Sequence, residues 1–273
     1  MDEALGEAVL TLAVEAAQRA WGSRLRAAYA LGSLAHGGFS SLVSDVDLGL
    51  LLEDPLAPAD AQRVKDVNEQ VKASSLPLAD RLSIFWGSQA SLRGDGGEGR
   101  FPSLDRLDLI RHGRLIAGQD TRAGLPVPSQ RQLVVEAAQF CAGLVPRSRI
   151  EEWVQNPAGL VASGPRPLTK AVLFPVRFLY TAETGEIGRN HDAASYIARQ
   201  YRGPIGDLAA AALTWREQPP GPEDNAAVRL VADGLGPLYI TCLEDHEARM
   251  LGYGETELAE RLSEVRSTLG ASE

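Results

Sequence analysis

LGSLAHGGFSSLVSDVDLGLLL, residues Leu31 to Leu52, carries the densest information in the chain. An apolar run ends at Leu31 in Gly32-Ser33, a loop follows through Gly37-Gly38, and Ser44-Asp45-Val46-Asp47 opens a second apolar run, Val46 to Leu52. A short apolar run bounded by turn signals predicts a buried strand. On an extended chain successive side chains alternate, so Asp45 and Asp47 project to one face while Val46 points into the core.

Outward on the N-terminal side, Arg24 to Leu31 predicts the preceding strand. Asp2 to Trp21 predicts an amphipathic helix, with Leu5, Val9, Leu12, Ala13 and Ala16 at helical spacing. On the C-terminal side, Pro58 to Ala73 predicts a helix through Ala61, Val64, Val67 and Val71, and Ala79 to Trp86 a third strand. Gly87 to Pro102 is rich in glycine and charge and predicts a mobile surface loop. Leu107 to Ile116 resumes an apolar pattern, broken at His112-Gly113 as by a hairpin or helix end, and Gly118 to Pro128 has a linker's composition. Beyond Ser129 the pattern is helical, over Gln130 to Leu144, Leu168 to Thr184, Asp192 to Tyr201, Ile205 to Glu217 and Ala226 to Gly252. The expected class is α/β. A mixed sheet flanked by helices occupies 1–128, and an all-helical domain fills 129–273.

The chain of 273 residues has ordinary globular usage, 44% hydrophobic and 23% charged, which argues against a coiled coil or a disordered chain. Its formal net charge of -9 leaves no global basic surface, so long nucleic acid is not an expected partner and a small cationic molecule suits the balance better. Cys141 and Cys242 lie in or beside apolar stretches without metal-ligand spacing and read as core thiols. The acidic N-terminus is unlike a signal peptide, and no stretch reads as a membrane span, so the expected location is cytoplasmic.

Two neighbouring carboxylates repel, and the pairing makes sense where a divalent cation neutralises them. Magnesium takes oxygen ligands and is usually held by one or two carboxylates together with substrate phosphates. Gly32 lets the backbone turn sharply, and the Ser33 hydroxyl with nearby amides can bind phosphate oxygens; a helix starting near Ser33 would add favourable potential. Together they suit metal-dependent transfer of a nucleotidyl group. An acidic, capping turn without metal is the plainer alternative for the Asp-x-Asp taken alone.

Gly32, Ser33, Gly37, Ser44, Asp45 and Asp47 resemble the signature of the polymerase-beta-type nucleotidyltransferase superfamily, a Gly-Ser followed about a dozen residues later by Asp-x-Asp. That resemblance implies ATP as donor, magnesium as cofactor, and a third carboxylate on a neighbouring strand. Asp80 in LADRLSIFW is the residue offered, as metal ligand or as the base that takes the acceptor's proton, with a surface pairing to Arg81 or Arg106 as its alternative. AVLFPVRFLYTAETGEIGRNHDAASYIA, Ala171 to Ala198, resembles the helical domain of streptomycin/spectinomycin-type aminoglycoside adenylyltransferases through Arg177, Tyr180, Thr181, Thr184, Gly185, Ile187, Ala193 and Ala194. Where that family carries a lysine after the Thr-Gly turn, this chain has Arg189, Asn190 and His191; Tyr196 stands for a tryptophan, and Ser195 for an aspartate that would contact the drug.

With the resemblance, the expected site is nucleotide binding by Gly32, Ser33, Ser44, Arg177 and Arg189, metal binding by Asp45, Asp47 and Asp80, and an acceptor contact at Tyr196; Glu136, at the start of the second domain's first helix, is offered from its position as a contact for a cationic acceptor or as a base. AMP would pass from ATP to a hydroxyl of an aminoglycoside or aminocyclitol held between the two domains. Arg177, Lys170 and Glu136 also read as ordinary helix-surface charges, His36 as a solvent-facing loop residue, and Trp153, Trp215 and Tyr180 as packing. Nucleotidylation of a protein or RNA, as in toxin-antitoxin transferases, and a non-catalytic nucleotide-binding module are the rival functions.

Overall fold

Along the strand Val46–Leu52 the even positions Val46, Leu48, Leu50 and Leu52 are all buried in one cluster, while Leu51 belongs to a second. The sheet is thus covered on both faces. These coordinates are a computed structural model that describes residues 2–95, 99–144 and 147–270. The chain divides into two compact units, Met1–Pro128 and Ser129–Glu273.

In the first unit, helix α1 (Asp2–Trp21) leads into strand β1 (Leu25–Leu31), a single turn α2 (Ser33–His36) and strand β2 (Val46–Leu52). Helix α3 (Asp60–Lys72) then precedes strand β3 (Leu82–Ser88). Short helix α4 (Gln89–Arg93), helix α5 (Ser103–His112) and strand β4 (Arg114–Gly118) complete the unit. The sheet order is β3-β2-β1-β4, with β2 and β3 parallel and β1 antiparallel to both β2 and β4. One face packs against α1 and α3 through Val9, Leu10, Val14, Val64 and Val67. On the other face Tyr29, Leu31, Leu51 and Phe85 cluster with Leu109 of α5. That second face is the one to which Asp47, at an odd position of β2, also belongs.

Three details differ from the sequence expectation. The third strand starts at Leu82, because Leu78 adopts a left-handed conformation (φ 67°) and Ala79–Arg81 form a 3-10 turn. The presumed loop after it contains α4, whose start is a capping box in which Ser88 and Ser91 satisfy each other's amides; the remainder of that loop at 96–98 lies outside the described residues. Past His112-Gly113 the chain forms β4, which pairs with β1 from Ala27↔Gly118 to Ala30↔Arg114.

The second unit is helical throughout its described residues. Helix α6 (Gln130–Gln139) continues as a π-helical turn, Phe140–Leu144. Two helices beyond those expected from the sequence follow, α7 (Arg147–Gln155) and α8 (Pro157–Ala162). Then come α9 (Pro165–Thr184), α10 (Asn190–Gln200), α11 (Pro204–Thr214), α12 (Asn225–Tyr253) and a further unanticipated helix, α13 (Thr256–Gly270). Leu168, Val172, Val176 and Leu179 of α9 and Leu235, Leu238 and Leu243 of α12 form much of the core. By length and composition alone α12 is apolar enough to cross a membrane, contrary to the expectation that no stretch is. Few charged residues interrupt its apolar centre, and its buried face packs against α9, α11 and α13. Cys242 is buried and Cys141 half-buried, and a hydrogen bond between the two thiols helps push the Cys242 thiol up, together with burial.

Candidate active site

The site begins where β1 ends. Leu31 pairs with Asp47 across the sheet, so Gly32 leaves the strand directly beside that carboxylate. Gly32 has φ 59° and ψ -149°, a conformation open essentially to glycine alone, and a Cβ there would lie 2.5 Å from Asp47 Oδ2. A side chain is therefore excluded twice, once by the backbone and once by the aspartate. The Gly32 carbonyl accepts from the amides of Ala35 (2.9 Å) and His36 (3.1 Å), which closes α2. The Ser33 and Leu34 amides open the turn and so lack partners within it. The helical start expected near Ser33 is present, but it is one turn of four residues rather than a helix with an appreciable dipole.

The Gly32 amide is not available to a ligand: it donates to Asp108 Oδ2 at 2.6 Å. Asp108 comes from α5, 76 residues away in sequence, and is 5% exposed. Its other oxygen, Oδ1, is buried without a hydrogen-bond partner. It is not among the site residues expected from the sequence.

Asp45 and Asp47 are both half-buried and flank fully buried Val46, as strand alternation requires. The loop that delivers them is fastened at two points. Ser44 Oγ accepts from the Ser40 amide at 3.0 Å, and Arg81 Nη1 donates to the carbonyls of Ser41 (2.7 Å) and Ser44 (3.4 Å). Ser44 is 6% exposed, so its hydroxyl shapes the loop from within.

Asp80 is exposed and lies in the 3-10 turn ahead of β3, at the same end of the sheet as Asp45, because β3 runs parallel to β2 from Val46↔Leu82 onward. Arg81 turns to the loop carbonyls, and Arg106 to Leu92 O and Ser103 Oγ, so neither takes up the surface pairing with Asp80. The β3 residue opposite Asp47 is Ser83. His36, expected to face solvent, is half-buried, with its ring edge-on to His112 at 5.6 Å.

Among the described residues no group of three or more His, Cys, Asp or Glu side chains is gathered to hold a metal ion, so a magnesium ion would rest on Asp45 and Asp47 together with substrate phosphates. Asp45 and Asp47 offer hard oxygen ligands on one face, and the orphaned Asp108 oxygen is a buried acceptor that only a positive or donating group can satisfy.

In the helical unit, Arg177 on α9 has its Nε buried without a partner, and the turn at Gly188 packs against its Cβ and backbone. Arg216, just past α11, is 8% exposed; burial and then the neighbouring Arg177 charge hold its guanidinium below the usual value. Two guanidinium groups are thus held near one another against their repulsion. Arg216 escaped the sequence reading. Arg189 is tied to Asp192, with Nε donating to Oδ2 at 2.6 Å.

Tyr196 stacks edge-on to Tyr180 at 5.5 Å and donates to Glu183 at 2.5 Å, a bond that heads the causes raising the tyrosine's pKa. A cavity of about 390 Å³ beside them is lined by Tyr180, Thr184, His191, Asp192, Ser195, Tyr196 and Arg199, within the range of small-molecule pockets. Glu136 is half-buried on α6 and does not line it.

Over 84% of its length the chain is similar in fold to a nucleotidyltransferase of known structure. That protein is the spectinomycin adenyltransferase AAD(9) from Enterococcus faecialis, solved with ATP and spectinomycin. The match covers 98% of that chain with a TM-score of 0.52 at 13% identity, which shows a shared fold. No family model matches the sequence, and no curated protein does.

Proposed function

We propose that the chain transfers AMP from ATP to a hydroxyl of a small cationic acceptor of the aminoglycoside or aminocyclitol class. The observation that carries this reading is the contact of Gly32 with Asp47, which couples a phosphate-binding turn to a carboxylate pair on a nucleotidyltransferase fold. The net charge of -9 suits a cationic acceptor, and the fold neighbour is a spectinomycin adenyltransferase.

In this reading Asp45 and Asp47 hold magnesium, which when bound neutralises phosphate charge and polarises the α-phosphate. The Ser33 hydroxyl, with the Ser33 and Leu34 amides, takes triphosphate oxygens. Arg177 and Arg216 form the cationic pair of the helical unit for the nucleotide, and Arg189, the residue that precedes α10, is a further cation offered to it. Asp80, exposed at the same sheet end, receives the proton as the acceptor hydroxyl oxygen bonds to the α-phosphorus. The bond from the α-phosphorus to the bridging oxygen breaks, and pyrophosphate leaves with that electron pair. Tyr196 and the cavity around it receive the acceptor, and Glu136 supplies a further negative charge to it.

Mass spectrometry after incubation with ATP, magnesium and a panel of aminoglycosides tests the reading. An adenylyl adduct on a member of the panel with equimolar pyrophosphate is the expected result. ATP binding without turnover on any small molecule, or labelling confined to protein or RNA, would overturn it.

A further inference from the structure

Asp108 is only 5% exposed, yet its carboxylate receives one hydrogen bond. Oδ2 accepts the Gly32 amide at 2.6 Å, whereas Oδ1 has no partner. An ionised carboxylate normally collects several donors or a cation before it is taken out of water, because an unpaired buried charge is among the costliest features a fold can keep. Leu107 and Leu109 on either side are 1% and 0% exposed, so rotation of the helix would not return Asp108 to solvent. The position of the group gives it a use. Gly32, whose amide it holds, is the residue that packs on Asp47 Oδ2, and Asp47 lies on the sheet face that α5 covers. Opposite Asp47 on β3 stands Ser83, which brings no charge to that face.

We propose that Asp108 is a positioning residue for the cation site: it fixes Gly32 against Asp47 through the amide, and its buried charge strengthens divalent-cation binding at Asp45 and Asp47. This rests on the adenylyltransferase reading above. The uncompensated oxygen is then a cost carried by the empty protein and recovered on binding, as strain and unsatisfied groups at functional sites generally are. A carboxylate that served only to clamp the Gly32 turn would be replaced without loss by a neutral acceptor, and this separates the two roles.

Asp108→Asn keeps an oxygen that can accept from Gly32 and removes the charge. Binding of Mn²⁺ is measured by electron paramagnetic resonance on the full chain, with and without α,β-methylene-ATP, beside thermal unfolding of the empty protein. Asp108→Asn is expected to weaken Mn²⁺ at least tenfold while the empty protein melts at the wild-type temperature or higher. Asp66→Asn, on the exposed face of α3, leaves Mn²⁺ affinity within twofold. Asp108→Ser gives the same readout should the amide variant misfold. Unchanged Mn²⁺ affinity in the Asp108 variants, or an equal loss in Asp66→Asn, overturns the proposal while leaving the adenylyltransferase reading intact. A wild-type chain that binds neither Mn²⁺ nor the nucleotide analogue sinks that reading, and this inference with it.

Discussion

Gly32→Ala is the most direct perturbation of the site. The added methyl would sit 2.5 Å from Asp47 Oδ2, where a C···O contact needs about 3.3 Å, so the carboxylate must retreat by roughly 0.8 Å. An aspartate side chain can swing that far, so the steric part costs little in stability and falls instead on the position of the carboxylate. The backbone part cannot be relieved, because alanine at φ 59°, ψ -149° carries about 1–3 kcal/mol of strain. For a unit of this size the melting temperature should drop by about 3–10 °C. Misplacing a reacting group by about 1 Å costs on the order of 100-fold, or ~2.7 kcal/mol. Isothermal titration with α,β-methylene-ATP and magnesium, together with thermal unfolding, reads both parts. A double-mutant cycle with Asp47→Ala separates them: removing the aspartate should abolish the effect of Gly32→Ala on ligand binding but leave most of its effect on melting. Wild-type affinity in Gly32→Ala, or a melting loss that disappears with the Asp47 side chain, would refute the geometry on which the site is built.

Asp60, far from the site, reports on the fold alone. Burial pushes its carboxyl up, but hydrogen bonds from Arg24, the Ala57 amide and Trp21 outweigh that and hold it well below the usual range. Its contribution is therefore complete above the unfolded carboxylate value of about 3.9 and is lost as pH falls toward the folded one. Asp60→Ala should cost about 3 kcal/mol in urea unfolding at pH 7 and less at pH 2. Asp80→Asn should lower kcat by about 100-fold with the KM for ATP within twofold, as loss of a proton acceptor does; a raised KM with unchanged kcat would remove it from that role. Arg216→Met should weaken nucleotide binding about tenfold, as loss of one of two neighbouring cations does. Calorimetry showing unaltered nucleotide affinity would dismiss the arginine pair.

How much of this was legible in the sequence depends on whether neighbours in the chain or neighbours in space do the positioning. Strand β2 was readable to the residue because alternate side chains bury on opposite faces and Gly, Ser and Asp mark its start. Strand β4 was not: its burial along Arg114–Gly118 runs exposed, exposed, half, half, exposed, so an edge strand with little buried surface leaves no alternating signature. Helix α13 does carry its signal, in Leu258, Leu262, Val265 and Leu269 at helical spacing, all buried. Within the candidate site Gly32, Asp45 and Asp47 share one loop and one strand start, and their spacing alone sets them on a common face.

Asp108 and Arg216 reach their surroundings only through packing, so no window of sequence contains the residues they meet. One local clue to Asp108 nevertheless exists. Consecutive positions on a helix are separated by about 100°, so an aspartate between two leucines that both enter the core lies on a helix enclosed over most of its girth. A charge in that setting must be met by something, whereas one on a solvated face need not be. In LDRLDLIRH the choice between the faces was open from sequence, with Asp105 and Asp108 three residues apart. The fold resolves it by leaving Asp105 half-buried and enclosing Asp108. A polar residue whose two sequence neighbours are both core residues is therefore where a long-range contribution to a site should be sought, ahead of the more numerous charges that alternate with polar neighbours.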